Sequence, residues 1–254
     1  GEPFKKFRAH GLLVKEGKKM SKSKGNIVNP DEIVSSSGAD TLRTYLMFLG
    51  PYEQGGDFRD KDIAGIRRFF NRVFASYFEE SPEIIEEDKL EKSVRVKYHQ
   101  TVKKVTADLD SEDQSDPLSY NTAVAALMEL HNVIKGAKQI SKSVREGFII
   151  MLAPFAPHLA EEIWHEALGY EFSIFQASWP QYDEKLTVLD EIEIPVQING
   201  KIKDRMMVSR SISKDDLEKE ALNSEAIKKQ IESTNGEVRK VIVVPGRLVN
   251  IIVK

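Results

Sequence analysis

Apolar residues recur at spacings of three and four along the middle of the chain, from about residue 60 to residue 169. This spacing places them on one face of an α-helix. Four stretches show it, and four amphipathic helices that each bury one face predict a helical bundle. Pro154 and Pro157 should interrupt the last helix, because proline lacks the N–H group that a helix interior needs. The four apolar stripes are Ile63, Ile66, Phe70, Val73, Phe74 and Tyr77; Val94, Tyr98, Val102, Val105 and Leu109; Ala123, Leu127, Leu130, Ile134 and Ala137; and Phe148, Leu152, Phe155, Leu159, Ile163 and Leu168.

The residues before this region mix short apolar stretches with residues that are typical of turns. Residues 12–14 are apolar and predict a short strand. Asn29, followed by a proline, is a helix start, because its side chain can accept a bond from a free backbone N–H and proline fits the first helical position. We expect Gly38 to end this helix. Asp40 should then cap a second helix over residues 41–48.

The hydrophobic period changes to two after about residue 190, which is typical of β-strands. The pair Asn199-Gly200 predicts a two-residue hairpin turn, since both residues readily adopt positive φ. Ser213, followed three residues later by an acid, predicts the start of a helix. The tail is therefore predicted to be a small α+β domain of order β-β-α-β-β. Its predicted strands cover residues 192–198, 201–208, 238–244 and 248–253.

These patterns predict a multidomain, mainly α-helical chain with three parts. Residues 1–58 form the first part, residues 59–180 the helical bundle and residues 190–254 the α+β domain. Polar connectors at 81–82 and 110–117 separate helices of the bundle.

Charge is unevenly distributed along the chain. The formal net charge of −3 gives no global reason to expect a nucleic-acid partner. Residues 1–30, however, carry eight Lys or Arg against two Glu, whereas residues 76–116 carry twelve acidic against six basic residues. We therefore expect contact with an anion near the amino-terminal end.

Two absences narrow the class of protein. There is no cysteine, which excludes disulfides, thiolate zinc sites and thiol nucleophiles and fits a cytoplasmic protein. No apolar run approaches the roughly 20 residues that a membrane-spanning helix needs, so no membrane partner is expected.

The segment from Lys18 to Asn26 reads KKMSKSKGN and is the sharpest chemical feature. It combines four lysines and two serines with a glycine that lets a loop bend. Ammonium groups suit phosphate oxygens, and hydroxyl and backbone N–H groups add further donors. On composition alone, such a segment is more often a solvated basic loop than a phosphate site.

The specific order of these residues favours the phosphate site over the solvated loop. Residues 19–23 are identical to the KMSKS signature of class I aminoacyl-tRNA synthetases, and residues 25–26 and 38–43 also resemble that family. The resemblance implies the end of a Rossmann-type catalytic domain with its mobile loop, followed by an α-helical bundle of the anticodon-binding-domain type. It also implies that the small α+β carboxy-terminal domain binds tRNA.

The resemblance implies a role for each residue of the signature. The loop is expected to close over ATP, which enters with Mg²⁺ as a substrate. Lys19 and Lys22 are the implied catalytic residues, because they would stabilise negative charge as pyrophosphate leaves. Met20 is implied to anchor the loop by packing, and Ser21 and Ser23 to bind phosphate or fix the loop.

Several segments resemble the leucine-specific members of this family. Isoleucine enzymes often end in a cysteine-rich zinc module, which a chain without cysteine cannot build. Valine enzymes often end in a long coiled coil, whereas this tail has no sustained heptads. Phe58 stands where tryptophan is expected, but it keeps an aromatic anchor. The equivalent part of a valine or isoleucine enzyme is the alternative. The leucine-like segments are residues 1–6, 46–51, 67–73, 121–123, 196–205 and 240–250.

Basic residues in two places are candidates for contact with tRNA(Leu), the partner that the resemblance implies. Strict alternation along the second strand of the tail would place three of them on one face, and Arg210 follows. The alternatives are an edge strand protected by charge and a solvated helix face. The candidates are Lys201, Lys203 and Arg205 in the tail and Arg67 and Arg68, with Arg72, in the bundle.

Other parts that the resemblance implies are not found in this sequence. They are the His-x-Gly-His signature, the leucine pocket and the inserted editing domain. We expect them in an N-terminal catalytic and editing half, as a separate subunit or as the remainder of a longer chain, and expect no aminoacylation without it. A non-catalytic tRNA-binding module is the alternative. The five histidines show no metal-ligand spacing, so no metal site is expected.

Overall fold

The computed structural model describes residues 1, 3–4, 7–110, 118–188, 191–209, 212–233 and 237–254. These residues form two compact units, 1–187 and 188–254. The division falls in the gap between the second and third predicted domains. Residues 111–117 of the predicted connector, Arg210 and three residues of the leucine-like segment 1–6 lie outside the described residues.

A small three-stranded sheet begins the first unit. Strands β1 (Leu13–Lys15) and β2 (Lys18–Lys19) form an antiparallel hairpin, and β3 (Gly56–Phe58) pairs with β1 in parallel. Helices α1 (Pro30–Ser37) and α2 (Ala39–Phe48) lie between β2 and β3 in the chain. The predicted strand and both predicted helices are confirmed, whereas β2 and β3 are too short to show a hydrophobic period.

The helical bundle follows, and each predicted apolar stripe corresponds to a helical region. The chain leaves the helix at residues 153–156, which confirms the interruption predicted from Pro154 and Pro157. Phe74 was expected to be buried, but it is 41% exposed and stacks on Phe78 at a ring distance of 4.2 Å. The helices are α3 (Asp60–Phe78), α4 (Lys92–Leu109), α5 (Tyr120–Ile134), α6 (Lys142–Leu152) and α7 (Pro157–Glu162), and a π-helical turn (Ile163–Ala167) extends α7.

One hydrophobic core joins the first 58 residues to the bundle. Phe58 is 1% exposed and packs edge-on against Tyr45 of α2, with ring centroids 5.1 Å apart. The Tyr45 hydroxyl accepts from the Arg59 N–H at 2.8 Å and donates to the Arg59 carbonyl at 3.0 Å. Both aromatic residues belong to the same cluster as the buried faces of α3 to α7. The predicted boundary at residues 58/59 stays a prediction, since the described residues on its amino-terminal side have no separate core.

A short parallel pair of strands within the bundle was not predicted. Strand β4 (Glu83–Ile85) pairs with β5 (Gln139–Ser141), which lies more than fifty residues later in the chain. Each strand has only three residues, and the preceding Ser81-Pro82 favours a connector. The pair ties the connector after α3 to the residues before α6.

The second unit has one four-stranded sheet of order β7-β6-β9-β8. Two antiparallel hairpins are joined through the parallel pair β6 and β9. Asn199 and Gly200 have φ of 48° and 81°, which confirms the predicted hairpin turn. Where one helix was predicted there are two, which meet at Ser224. The elements are β6 (Glu191–Ile198), β7 (Lys201–Ser209), α8 (Lys214–Asn223), α9 (Glu225–Ser233), β8 (Val238–Val244) and β9 (Leu248–Val253).

A buried histidine makes the stability of the first unit depend on pH. His131 of α5 is 0% exposed, and its Nε2 lies 3.1 Å from Ser76 Oγ. Burial, followed by the charges of Arg72 and Lys135, lowers the pKa of His131 to about 4. An unfolded histidine has a pKa near ~6.5. The unfolded chain therefore binds more protons between these values, and acid favours unfolding.

We expect the free energy of unfolding to be highest above about pH 6.5 and to fall by about 3 kcal/mol as the pH falls to about 4 through this group. His131→Gln should remove this part of the pH dependence, while His10→Gln, at an exposed site, should keep it. Urea unfolding at several pH values measures the difference. If the free energy of unfolding changes equally with pH in the wild-type protein and in His131→Gln, the assignment is wrong.

Candidate functional site

The loop predicted to bind ATP lies directly after β2. Lys19 is the last residue of β2 and pairs with Val14 of β1. Residues Lys22–Lys24 form a single 3₁₀ turn, which ends at Gly25 with φ of 64°. A positive φ of this size favours glycine. The loop is therefore a tight turn that begins at the edge of a sheet.

Asn26 holds this turn closed from inside. Its Oδ1 accepts from the Ser21 N–H at 2.8 Å, and its Nδ2 donates to the Lys19 carbonyl at 3.2 Å. The two bonds link the first and last residues of the loop. Sequence reasoning gave Asn26 no role of its own, although its position directly after Gly25 was part of the family resemblance.

The side chains of the loop divide into an inner and an outer set. Met20 is partly buried against the core of the first unit, as expected for an anchor. The Ser21 and Ser23 hydroxyls lie 2.9 Å apart and bond to each other. Lys19 and Lys22 are exposed, and within the described residues neither forms an ion pair. Their ammonium groups are therefore available to an anion.

The helix that follows the loop begins as predicted. The Asn29 side chain accepts from the Asp31 N–H at 3.1 Å and so caps α1. Gly38 closes α1, because its N–H donates to the Val34 carbonyl at 2.9 Å. Gly38 is also the residue that precedes α2.

The prediction that Asp40 caps α2 is wrong. Asp40 lies inside α2, is 8% exposed, and its carboxylate bonds to the start of α7 instead. Oδ1 lies 2.7 Å from His158 Nδ1, and Oδ2 accepts from the Leu159 N–H at 2.8 Å. The free N–H groups at the start of a helix attract a carboxylate. These groups come from a segment more than a hundred residues away, which the local pattern does not reveal.

The predicted positive stripe on β7 is also wrong. A β-bulge between Val196 and Gln197 leaves Lys203 without a partner, so the alternation of side chains changes there. Lys201 pairs with the buried Ile198, whereas Arg205 pairs with Pro195, on the opposite face. Arg205 also forms an ion pair with Glu193 at 2.6 Å. Lys201 and Arg205 therefore do not share one face.

The basic residues of the bundle lie on the outside of α3. Arg67, Arg68 and Arg72 are all exposed. Arg67 lines a surface crevice that it shares with Asn71 and His158. Arg68 and Arg72 do not line this crevice. The structure therefore places these cations on the surface of one helix, with Arg67 beside this crevice.

Two kinds of site are not found among the described residues. No group of three or more His, Asp or Glu side chains there is placed to hold a metal ion. In the same part of the chain, no helix is both long and apolar enough to cross a membrane.

Two family models match this chain. Residues 1–59 match the model of the class I tRNA synthetases for isoleucine, leucine, methionine and valine. Residues 91–219 match the anticodon-binding domain of tRNA ligases. The chain is also similar to a LeuRS of Agrobacterium radiobacter solved in a ternary complex with tRNA and LeuAMS, with 28% identity and a TM-score of 0.67. The match covers 96% of this chain and 33% of that chain, so this chain spans about a third of that enzyme.

We expect Asn26→Ala to loosen the loop, because it removes both bonds that close the turn. The two bonds stabilise the closed loop by about 1 kcal/mol each. Trypsin should therefore cleave Asn26→Ala after the loop lysines about ten-fold faster or more than the wild-type protein. Mass spectrometry of the early fragments measures the rate. Asn26→Asp keeps the acceptor, so its cleavage rate should lie between those of the wild-type protein and Asn26→Ala. Asn71→Ala, on the exposed surface of α3, should be cleaved at the wild-type rate. Equal rates for all three variants would show that Asn26 does not hold the loop.

Proposed function

Because this chain belongs to the class I tRNA synthetases of the leucine type, we propose that it supplies the ATP-binding loop and part of the tRNA-docking surface of a leucine–tRNA ligase. The observation that carries the proposal is the KMSKS loop, whose lysines are exposed and unpaired among the described residues. The remaining catalytic groups would come from an N-terminal half, since this chain spans about a third of the solved relative.

In the proposed reaction, a carboxylate oxygen of leucine attacks the α-phosphorus of ATP. The bond from that phosphorus to the bridging oxygen breaks, and pyrophosphate leaves with the bonding electron pair. Leucyl-adenylate and pyrophosphate are the products. A terminal hydroxyl of tRNA(Leu) then attacks the leucyl carbonyl carbon and loses its proton, and the bond to the phosphate breaks, so that AMP leaves with the bonding electron pair. Negative charge grows on the leaving oxygens, so cations that approach them in the transition state lower the barrier.

Lys19 and Lys22 would supply these cations. Lys19 ends a strand and Lys22 starts a 3₁₀ turn, so both have a backbone held by local hydrogen bonds. Met20 between them packs inward, which leaves the ammonium groups on the outside. Ser21 and Ser23 bond to each other and would donate to phosphate only after exchanging that bond. Mg²⁺ would neutralise phosphate charge as part of the ATP substrate.

The docking of tRNA(Leu) is proposed from the exposed basic residues and from the tRNA complex of the solved relative. In the bundle, Arg67 and Arg68 are the candidates. In the tail, Lys201, Lys203 and Arg205 remain candidates, but the bulge separates Lys201 from Arg205. We therefore propose two smaller groups of phosphate contacts on β7 in place of one continuous stripe.

We expect Lys22→Ala and Lys19→Ala, each in the complete enzyme, to lower kcat for ATP–pyrophosphate exchange by about 10²- to 10³-fold, because each removes transition-state charge stabilisation. Lys185→Ala, on a surface turn far along the chain, is the control and should have no effect. The affinity for tRNA should stay unchanged in all three. Unchanged exchange together with weaker tRNA binding would instead identify a non-catalytic tRNA-binding module. Exchange with valine or isoleucine in place of leucine tests the specificity.

For tRNA docking, Arg67→Ala should weaken binding of tRNA(Leu) and reduce the slope of log K against log[salt] by roughly 0.7 to 0.9, the value for one lost phosphate contact. Lys61→Ala, exposed in the first turn of α3, is the matched control on the same helix. Filter binding at several salt concentrations gives both slopes. If Arg67→Ala leaves the slope unchanged, then Arg67 contacts no phosphate.

A further inference from the structure

The loop and α1 together form a segment that is fixed at both ends and, between them, packs on the core through the partly buried side chains of Met20, Val28 and Ile33. At one end, Lys19 is held in β2 by its pairing with Val14. At the other end, α2 buries Asp40, Thr41, Thr44 and Tyr45. Helix α1, in contrast, has no buried residue. The resistance to movement therefore changes sharply at the junction of α1 and α2.

Helix α2 is anchored to the interruption that precedes α7. Asp40 accepts from His158 Nδ1 at 2.7 Å and from the Leu159 N–H at 2.8 Å. One turn later, Thr44 Oγ1 donates to the Phe155 carbonyl at 3.1 Å. The interruption exposes carbonyl and N–H groups that a continuous helix would use itself. Polar side chains on one face of α2 bond to these groups, so α2 moves with the bundle.

Gly38 is the only residue between the two helices. Its N–H donates to the Val34 carbonyl of α1 at 2.9 Å, and its carbonyl accepts from the Leu42 N–H of α2 at 3.3 Å. Its φ of 87° and ψ of 152° lie in a region that is essentially restricted to glycine. A Cβ built on Gly38 would meet no atom within 4 Å. The backbone conformation, and not a lack of space, is therefore what requires glycine here.

We propose that Gly38 is the pivot on which the loop and α1 turn as one body, and that Asp40 is the positioning residue that fixes the far side of this pivot to the bundle. Asn26 closes the loop and Asn29 caps α1, so residues 20–37 keep these bonds when they move together, apart from the bond from Asn26 Nδ2 to the Lys19 carbonyl, which joins the segment to β2. The pivot would set where the ammonium group of Lys22 lies relative to a bound nucleotide, whereas Lys19 stays in β2. This inference rests on the proposed function.

Gly38→Ala in the complete enzyme tests the pivot. It should lower kcat for ATP–pyrophosphate exchange by about ten- to a hundred-fold, because a small misplacement of a catalytic group has an effect of this size. Transfer from preformed leucyl-adenylate to tRNA should stay unchanged. The matched control is Gly136→Ala, since Gly136 also has a positive φ of 68° and open space for a Cβ. Gly136→Ala should show the effect of a Cβ at a positive φ on Tm and leave exchange unchanged.

Asp40→Asn tests the anchor, because an amide keeps the size of the carboxylate but loses one of its two acceptors. It should lower kcat for exchange about ten-fold, with KM for leucine unchanged. Asp31→Asn, on the exposed surface of α1, is its control. The double variant Gly38→Ala/Asp40→Asn should lose less than the product of the two single effects, because both substitutions act on one movement.

The outcomes distinguish a failure of the pivot or the anchor from a failure of the proposed function. If Lys22→Ala slows exchange but Gly38→Ala does not differ from Gly136→Ala, the pivot is wrong and the proposed function stands. If the Asp40→Asn loss only follows its loss of Tm, the anchor is structural and its positioning role is wrong. If Lys22→Ala leaves exchange unchanged, the proposed function fails, and the role of Gly38 fails with it.

Discussion

The carboxylate of Asp40 is the interaction on which the arrangement of the first unit depends. It is almost fully buried, and it meets the imidazole of His158 and the backbone N–H of Leu159 at the point where two prolines break the last helix of the bundle. A buried carboxylate without partners would be strongly unfavourable, and N–H groups at a broken helix need acceptors. Each feature therefore satisfies the other, and the contact fixes α2 against the bundle.

The position of α2 in turn determines the surroundings of the loop. Tyr45, on the same helix, packs on Phe58 and bonds to Arg59, which places β3 beside β1. Strand β1 pairs with β2, and β2 ends where the loop begins. A chain of contacts therefore runs from the bundle core to Lys19 through named side chains. Lys19 therefore stands at the end of a held strand, and the loop that carries Lys22 begins there.

Local sequence patterns predict the parts of this structure that depend on neighbours in the chain. The bundle helices follow from apolar spacing, the turn at Asn199-Gly200 from its two residues, and the start of α1 from Asn29. The identity of the loop follows from resemblance, because only the order of its residues separates it from an ordinary basic loop.

The features that the sequence missed or predicted wrongly depend on distant partners or on a single irregular residue. The pairing of β4 with β5 joins two strands of three residues, which are too short to show a period. Aspartate is a common helix cap, but the Asp40 carboxylate bonds to another helix. The N–H group from which it accepts lies at a helix break elsewhere in the chain. The stripe on β7 assumed strict alternation, and one extra residue at the bulge shifts every side chain beyond it.

The shared core has a consequence for how such chains can be recombined. Tyr45 and Phe58 lie before the predicted boundary at residues 58/59, yet they belong to the same buried cluster as the helices after it. A bundle grafted onto another synthetase without these two residues would expose apolar side chains at its end. Residues 1–58 grafted without the bundle would lose the core on which they pack. Helix α2, β3 and the bundle therefore form one structural module, and a crossover between related genes within residues 39–187 should expose part of this core.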